Sequence, residues 1–438
     1  MRNSSDGTAV YDKLALRIDK TQSGLAPAPE VRGILSHLFS EEEASIAVRL
    51  PITPRRLGTI VRRTGIPEGE LVPKLDRMAC KGLVFDFTHP TKGTYYMLAP
   101  PIVGFFEMSM MRVRSDINQP ELARLLSMYM YDRPQFMREA MSGRTPIGRT
   151  LVSESAIAAS WSSDVLDYER ATAIVDDAKE MAISLCYCRH KKSHLGEACG
   201  APQDVCMQLG RAAEFTVRRG LSRWADKSEL REKLAQSREQ GLVQIVDNVK
   251  NEPAYLCNCC GCCCGQLVAI NRHGIEHAVG TSNYLAGVDV QTCTGCGKCS
   301  RACPVQAIAL HARAPVDRVR THRKMCARVD ESVCLGCGVC VSPCKSGAMR
   351  MQPRQKRVLT PEDTLERVLR MQVGRGHLHD VLFDEEDGPT AAFLNRLAGA
   401  VERLPVARRA MLNETLKSRF VGFLCNKAKG TGPSVGET

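Results

Sequence analysis

The sequence predicts a multidomain α+β protein that is mostly helical. Its 438 residues suffice for about three domains of ordinary size. Apolar residues recur at helical spacing in most segments, whereas the segment after Gly82 alternates as strands do. The hydrophobic fraction of 44% and the charged fraction of 25% are ordinary for a globular protein. The count of 21 cysteines is unusually high. Because a chain of this length can form a sufficient hydrophobic core without disulfide bonds, the cysteines need another explanation.

The first segment, residues 1–29, is predicted to be a flexible leader because it ends in the Gly, Ala and Pro-rich stretch SGLAPAPE. A domain over residues 30–112 follows. Helices are predicted over EVRGILSHLF and over EEEASIAVRL, the latter behind a capping box of Ser40 and Glu43. A further helix in TPRRLGTIVRRTG ends just before Gly65, and the next extends from about Glu68 to Lys81.

After Gly82, the segments LVFDF and TYYML flank the turn THPTKG and predict a hairpin. Three helices followed by such a hairpin resemble a winged helix-turn-helix domain over about residues 30–100. In this resemblance, the helix Glu68–Lys81 takes the recognition position. It carries three acidic and three basic side chains, a balance that suits a phosphate backbone poorly. Two uses stay open for this domain: binding of duplex DNA, or protein interaction and dimerisation.

Residues 113–283 are predicted to form a helical, cysteine-rich domain. The stretch DYERATAIVDDAKEMAISL has an apolar stripe that predicts a long helix leading directly into Cys186 and Cys188. Helices are predicted again between Cys206 and Cys257, followed by a strand over GLVQIVDNV. Residues 353–427 are predicted to be helical and residues 428–438 to be a disordered tail.

Residues 284–352 contain a duplicated cysteine motif, C-x-x-C-x-x-C-x-x-x-C. The motif begins at Cys293 and again at Cys334. A cubane iron–sulfur cluster needs four thiolates at the corners of a tetrahedron, and three cysteines spaced by two residues can wrap one cluster in a compact loop. Glycines between these cysteines allow the backbone to approach the sulfurs. Zinc is disfavoured here because its sites use C-x-x-C pairs separated by longer loops.

This duplicated motif resembles the bacterial two-cluster ferredoxins. The resemblance implies a ferredoxin-like domain with two 4Fe-4S clusters, in which the fourth cysteine of each run binds the other cluster. The implied ligands are Cys293, Cys296, Cys299 and Cys344 for the first cluster, and Cys303, Cys334, Cys337 and Cys340 for the second. The sequence departs from the family at Lys345, which replaces the usual proline after the last ligand. Its charge is expected to raise the potential of the first cluster.

Ten further cysteines lie upstream of the duplicated motif: Cys186, Cys188, Cys199, Cys206, Cys257, Cys259, Cys260, Cys262, Cys263 and Cys264. The last six cannot all serve one metal, because neighbouring side chains of an extended segment point to opposite faces. The run is therefore expected to split between two sites, or between a ligand set and free thiols. Three uses stay open: additional iron–sulfur clusters, structural zinc, or a thiol or persulfide redox relay. The layout also resembles a group of large bacterial iron–sulfur proteins, which implies electron transfer without naming a partner.

Other signals are weaker. His190 and His194 are the candidates for a ligand that is not a cysteine. The spacing of His273, Glu276 and His277 matches one class of zinc peptidases, but a glycine inside the motif favours an ordinary solvated turn. The remaining cysteines are predicted not to be ligands, namely Cys80, Cys326 and Cys425.

These patterns predict a cytoplasmic protein without a membrane span that passes single electrons through at least two 4Fe-4S clusters to or from a partner oxidoreductase. No catalytic residue is identified, and if the chain is an enzyme we expect an oxidoreductase subunit. Two alternatives stay open: a redox-responsive or iron–sulfur-responsive winged-helix transcription regulator, and a reductase with a catalytic cluster in the cysteine-rich middle. A homo-oligomer through the winged-helix region is a further expectation.

The basic charge of the chain bears on nucleic acid as a partner. The formal net charge is +12. Each oxidised cubane with four thiolates carries about −2, so two clusters reduce the net charge to roughly +8. The basic surplus is thus partly counter-charge for clusters, and nucleic acid is not the favoured partner.

Overall fold

A computed structural model describes residues 4–431 except residues 90, 142, 158–164, 277 and 314–323. The chain is 47% helical and 15% strand, which agrees with the predicted α+β class. It divides into two compact units. The first consists of Met1–Thr145, Phe215–Ser222 and Glu362–Thr438, and the second consists of Pro146–Glu214 and Arg223–Pro361.

The described helices, numbered in chain order, are α1 (Ser4–Asp19), α2 (Pro29–Leu38), α3 (Glu41–Ala47), α4 (Leu57–Thr64), α5 (Glu68–Cys80), α6 (Phe106–Met108), α7 (Gln119–Ser127), α8 (Pro134–Met141), α9 (Ala171–Asp177) and α10 (Tyr187–Ser193). They continue with α11 (Arg211–Arg218), α12 (Lys227–Glu239), α13 (Gly265–His273), α14 (Lys298–Ala302), α15 (Thr364–Arg375), α16 (Leu378–Leu382), α17 (Pro389–Glu402), α18 (Pro405–Leu412) and α19 (Glu414–Thr431).

The described strands are β1 (Arg55–Arg56), β2 (Val84–His89), β3 (Gly93–Leu98), β4 (Gly148–Thr150), β5 (Met181–Ser184), β6 (Cys206–Leu209), β7 (Arg223–Trp224), β8 (Val243–Asp247), β9 (Tyr255–Cys259), β10 (Tyr284–Val288), β11 (Ile308–Ala312), β12 (Met325–Val329) and β13 (Met349–Pro353).

The N-terminal elements of the first unit follow the sequence pattern closely. The hydroxyl of Ser40 accepts a hydrogen bond from the backbone N–H of Glu43, and the carboxylate of Glu43 accepts one from the N–H of Ser40. This capping box satisfies two N–H groups that have no partner inside the helix and starts α3 where the sequence predicts. Strands β2 and β3 form the predicted hairpin, and β1 pairs with β3 to give the sheet order β1-β3-β2.

The prediction of a flexible leader is wrong where the structure describes it, because α1 occupies most of this segment. Tyr11, Leu14 and Ile18 are buried, and their spacing of three and four residues is that of one helix face. Even the stretch after the helix is packed, since Leu25 and Ala26 are buried. The Gly, Ala and Pro content of that stretch predicts a flexible segment, but tertiary contacts order it.

The second unit is built around a six-stranded sheet, which corrects the helical domain predicted for residues 113–283. The strand order is β4-β8-β9-β6-β5-β7, and every neighbouring pair is antiparallel. The long helix predicted before Cys186 is also wrong, because α9 ends at Asp177 and β5 follows it. All four residues of β5 are buried. A short run that is buried on all sides cannot be assigned to helix or strand by periodicity alone.

Helices α9 and α12 cover this sheet. Their buried side chains, such as Val175 and Leu234, share one hydrophobic core with sheet residues such as Met207 and Leu256. The predicted strand over GLVQIVDNV is confirmed as β8. The core therefore fixes the sheet whose strand ends carry several of the middle cysteines.

The duplicated cysteine motif lies among two small antiparallel sheets of the second unit. One pairs β10 with β13, and the other pairs β11 with β12. The first cysteine run lies between β10 and β11, and the second lies between β12 and β13. Strands from both halves of the duplication thus pair with each other, which brings the two runs close together.

The C-terminal region is helical as predicted, and it belongs to the first unit. Helix α15 is capped by Asp363, whose carboxylate accepts a hydrogen bond from the N–H of Glu366. The predicted disordered tail is wrong at its start, since α19 continues to Thr431, and residues 432–438 lie outside the described residues. None of the described helices combines the length and the apolar character that crossing a membrane requires.

Candidate metal centres

The four implied ligands of the first cluster surround one cavity of about 180 Å³. Cys293 and Cys296 come from the loop that leads into α14, Cys299 lies on that helix, and Cys344 comes from the segment before β13. Cys293 and Cys299 are buried, and Cys296 is exposed. The cavity therefore opens towards solvent on the side of Cys296.

Backbone N–H groups point at the sulfurs around this first cavity. Met349 donates to the Sγ of Cys344 at 3.3 Å. A hydrogen bond from the N–H of Lys298, together with the hydroxyl of Thr294, lowers the pKa of Cys296. Such bonds favour the thiolate form that binds metals and clusters. The cavity and its donors fit a cluster ligated by four thiolates.

The four implied ligands of the second cluster surround a narrower cavity of about 10 Å³: Cys303, Cys334, Cys337 and Cys340. Apolar side chains close around them, including Val305, Ile308 and Leu335. Burial raises the pKa of Cys337 to about 12 and also raises that of Cys340. Four thiols gathered in an apolar pocket fit a group that binds them as thiolates and offsets their desolvation.

Gly336 allows the second cysteine run to fold tightly. Its φ of +73° lies in the left-handed region, and a Cβ atom at this position would overlap the carbonyl oxygen of Tyr284 and the hydroxyl of Ser282. Only glycine both adopts this left-handed conformation readily and lacks the Cβ atom that would overlap these oxygens. The backbone between Cys334 and Cys337 is thereby held against β10.

The structure thus groups the eight cysteines of the duplicated motif four and four. Cys344, from the second run, lies with three cysteines of the first run, and Cys303, from the first run, lies with three of the second. These are the two sets that the resemblance to two-cluster ferredoxins implies.

Six of the ten middle cysteines gather at one end of the six-stranded sheet, and we call them the sheet-end group: Cys186, Cys188, Cys206, Cys257, Cys259 and Cys264. The register of β6 with its neighbours explains this, because Ser184 lies opposite Cys206 on one side and Met207 lies opposite Leu256 on the other. The Sγ atoms of Cys206 and Cys257 are 3.9 Å apart. Further thiol hydrogen bonds connect the other members in the order Cys257, Cys259, Cys264, Cys188 and Cys186.

The other four middle cysteines form a tighter set, which we call the turn quartet: Cys199, Cys260, Cys262 and Cys263. Their Sγ atoms all lie within 4.8 Å of one another. Cys199 comes from the loop between α10 and β6, and the others come from the turn between β9 and α13. The run Cys257–Cys264 is therefore divided between two groups, as expected, although the neighbouring Cys262 and Cys263 of the turn belong to the same group.

Arg189 is a buried cation beside the middle cysteines that the sequence does not predict. It is fully buried, and its guanidinium donates to the backbone carbonyls of Pro202 at 2.7 Å and Asn258 at 2.6 Å. Burial disfavours its charge, but the neighbouring thiols of Cys186 and Cys260 raise its pKa. It thus supplies a positive charge beside both cysteine groups. The only signal in the sequence is its place directly after Cys188.

Arg189 also acts on the thiol of Cys260. A hydrogen bond from Cys263 is the main reason that the pKa of Cys260 falls to about 4, and the charge of Arg189 contributes against the opposing effect of burial. A thiolate is therefore favoured at this position of the turn quartet.

The turn that carries the quartet packs directly on the edge of the second cavity. The side chain of Asn271 donates to the carbonyl oxygens of Gly261 at 3.1 Å and Pro304 at 2.9 Å. A Cβ atom on Gly261 would overlap the carbonyl oxygen of Pro304. Because Pro304 follows Cys303 and lines the second cavity, the quartet is a direct neighbour of that cavity.

The weaker candidates have separate places. His190 and His194 contact each other, with ring centroids 4.8 Å apart, and neither belongs to the turn quartet. His273 is the last residue of α13, Glu276 lies beyond the helix, and His277 lies outside the described residues. The HxxEH spacing therefore does not place a ligand set on one helix face.

The cysteines predicted not to be ligands lie on three different elements: Cys80 on α5, Cys326 on β12 and Cys425 on α19. None of them lines either cavity or belongs to the turn quartet.

Comparison with known proteins identifies one part of the chain. Residues 292–348 match the family model of the 4Fe-4S dicluster domain, and this match covers both cysteine runs of the duplicated motif. No curated protein matches the chain, and no solved structure does. The dicluster domain and the many cysteines make this chain an iron–sulfur protein.

Proposed function

We propose that this chain passes single electrons through two 4Fe-4S clusters to or from a partner oxidoreductase. The proposed ligands are Cys293, Cys296, Cys299 and Cys344 for the first cluster, and Cys303, Cys334, Cys337 and Cys340 for the second. When bound, such clusters supply one-electron chemistry over a wide range of potentials. The observation that carries the proposal is the grouping of these eight cysteines into two four-thiol sets, each around one cavity, within a dicluster domain.

The chain offers a short connection between the two sets. Cys299 lies on α14, and Cys303 directly follows that helix. Four residues of helix rise by about 6 Å, so the backbone positions of these ligands are close although they serve different cavities. We therefore assign α14 as the covalent bridge between the clusters.

The exposed side of the first cavity suits contact with a partner. Cys296 is exposed there, and the exposed side chains of Lys298 and Lys345 flank the same cavity. The second cavity is closed by apolar residues. We therefore assign the first cluster to electron exchange with the partner, whose docking face we expect to be acidic.

We assign the N-terminal elements α2 to β3 to a winged-helix-like module for docking or dimerisation. Two basic residues of the segment in the recognition position already have acidic partners, since Lys74 pairs with Glu42 at 2.7 Å and Lys81 pairs with Glu43 at 2.8 Å. Such pairing leaves fewer cations for phosphate groups. The observations therefore favour protein contact over duplex DNA, and electron transfer over transcription regulation.

The ligand sets can be tested with two single substitutions in the full chain. We expect C344S to lose the first cluster and C303S to lose the second, although each cysteine belongs to the run of the other cluster. Anaerobically purified protein would be analysed for iron and sulfide, with electron paramagnetic resonance of the reduced state. Each variant is expected to lose about four irons and to lose the magnetic coupling between two neighbouring reduced clusters.

The variant C326S is the matched control, because Cys326 lies in the same domain and lines neither cavity. If C344S instead gave the same residual spectrum as a second-set variant such as C337S, the assignment across the two runs would be wrong. Clusters that neither accept nor release an electron between about −700 and +450 mV would contradict the electron-transfer function itself.

A further inference from the structure

The geometry of the turn quartet differs from that of the dicluster sets. The Sγ–Sγ distances are 3.6 Å for Cys199 and Cys260, 3.8 Å for Cys199 and Cys263, and 3.7 Å for Cys262 and Cys263. In a tetrahedral zinc site the sulfurs lie at the corners, and each zinc–sulfur bond is about 2.3 Å long. Neighbouring sulfurs are then about 3.8 Å apart, which is the length of one edge of the tetrahedron. The quartet thus has the dimensions of a coordination shell around one ion.

Two other interpretations fit these distances poorly. A disulfide needs an S–S separation of about 2.05 Å, and it joins two sulfurs rather than four. A cubane binds each thiolate to a different iron, so its ligands surround a cluster-sized space, as the four cysteines of the first cavity do. Among the residues that the structure describes, the turn quartet is the one set of metal-binding side chains gathered this closely.

We propose that Cys199, Cys260, Cys262 and Cys263 bind a single zinc ion in a closed tetrahedral site. Four S–H bonds break and four Zn–S bonds form, the thiol protons pass to solvent, and no electron moves. The four thiolates and the ion carry a net charge of −2, which the buried guanidinium of Arg189 beside Cys260 partly balances. With four protein ligands the site is structural.

The position of the site suggests what the ion holds together. Cys199 and Cys260 are 61 residues apart in the chain, so the ion would join two loops that are distant in the sequence. One of these loops contains Gly261, whose backbone lies against Pro304 at the second cavity. Zinc would therefore fix the loop that forms one edge of the second cluster site.

Metal analysis of the full-length protein tests this proposal. Wild type, C262S, C262H and the control C326S would be produced with zinc and iron supplied, purified anaerobically and analysed for zinc, iron and sulfide. Cys262 is the exposed member of the quartet, so its replacement disturbs packing least. We expect C262S to contain about one zinc ion fewer per chain than wild type, with unchanged iron and sulfide.

The variant C262H separates loss of the ion from loss of the fold. Because three cysteines and one histidine also form a zinc site, C262H is expected to retain the zinc that C262S loses. Substitution with cobalt gives a second measurement, since wild type and C262H should show the absorption of tetrahedral cobalt–thiolate bonds and C262S should not.

Three results would overturn the proposal. They are equal zinc content in wild type and C262S, loss of about four irons with their sulfide but of no zinc in C262S, or a single iron without sulfide in place of zinc. The iron and sulfide of the dicluster domain are measured in the same samples. Failure of the two-cluster function would therefore be seen separately from failure of the zinc site.

Discussion

Single residues set the local geometry of the four-cysteine cavities, and Gly336 offers the sharpest test of this. The variant G336A places a methyl group where the carbonyl oxygen of Tyr284 and the hydroxyl of Ser282 already lie. It also forces a left-handed backbone, which costs about 1–2 kcal/mol for a residue with a Cβ atom. We expect the free energy of unfolding to fall by clearly more than this amount, together with early loss of the second cluster.

Gly347 provides the matched control for this prediction. Its φ of +66° is also left-handed, but no atom lies within 4 Å of the place where a Cβ would be. In G347A the free energy of unfolding should therefore fall only by the cost of the left-handed backbone conformation. Urea titrations of the anaerobic proteins, followed by visible absorption and circular dichroism, compare the two. Equal losses in the two variants would show that the close approach at Gly336 has no energetic role.

At the scale of single residues, the sequence predicts candidate ligands better than it predicts which residues surround them. The resemblance of the duplicated motif to two-cluster ferredoxins implies the grouping of its eight cysteines into two sets, and the structure shows the same grouping. The neighbours of the middle cysteines depend instead on strand register. Arg189 serves as the buried cation there because the packing turns its side chain between Pro202 and Asn258. No local pattern contains that information.

At the scale of elements, a buried ion cluster joins the first helices to the C-terminal region within the first unit. The carboxylate of Asp384 accepts hydrogen bonds from Arg17 at 2.6 Å and from Arg63 at 3.1 Å, and all three side chains are buried. In D384N Arg17 loses its carboxylate partner, and Arg63 keeps only Asp387. We expect a loss of about 3–5 kcal/mol in the free energy of unfolding, measured by urea denaturation at neutral pH.

The pH dependence of the free energy of unfolding gives a second test of the ion cluster around Asp384. Burial alone would raise the pKa of Asp384, but the hydrogen bond and charge of Arg17, with the charge of Arg63, lower it below its usual value. The carboxylate therefore stabilises the fold above the ordinary titration range of aspartate, and this contribution is lost as the pH falls through its lowered pKa. The difference between wild type and D384N should shrink towards zero in that acidic range.

The exposed pair of Arg32 and Asp12 serves as the control for this ion cluster. Their side chains are 53% and 59% exposed, and the pair is 2.9 Å apart. Such surface pairs contribute about 0–1 kcal/mol, so D12N should change the unfolding free energy little. A loss in D384N no larger than that in D12N would contradict the assigned role of the buried cluster.

The sequence predicts elements reliably where caps and turns mark them, as at Ser40 and in the β2–β3 hairpin. It fails for α1 and β5. The stripe of Tyr11, Leu14 and Ile18 is one short helix face, and it becomes stable only when it packs against other elements. Strand β5 is a buried four-residue run whose extended form is fixed by pairing with β6 and β7. Both elements owe their conformation to tertiary contacts.

At the scale of the whole molecule, the two units are assembled from segments that are distant in the chain. Arg17 and Asp384 are separated by 367 residues, yet they form one ion pair. Periodicity describes only neighbouring residues, so it predicts domains that follow each other along the sequence. That is why the C-terminal helices were expected to form a region of their own, whereas the structure places them in the first unit.

The charge around the first cavity leads to a prediction about the complete electron-transfer reaction. Lys298 and Lys345 flank the cavity on which Cys296 is exposed. If electrons leave through this face, as we propose, its basic groups would attract an acidic partner over a distance set by the Debye length, about 30 Å at 0.01 M salt and 3 Å at 1 M. With a small acidic electron carrier as the acceptor, we expect the second-order rate measured by stopped flow to fall at least about tenfold between these salt concentrations.

Reversing the two charges should remove this attraction while leaving the clusters in place. We expect the double variant K298E/K345E to react slowly at low salt and to approach the wild-type rate at high salt, because screening removes the difference between them. The variant K179E reverses an exposed charge in the same unit that flanks neither cavity, and its rate should stay close to that of wild type. A wild-type rate that is independent of salt, or an equal effect of K179E, would show that electrons do not leave through the face around Cys296.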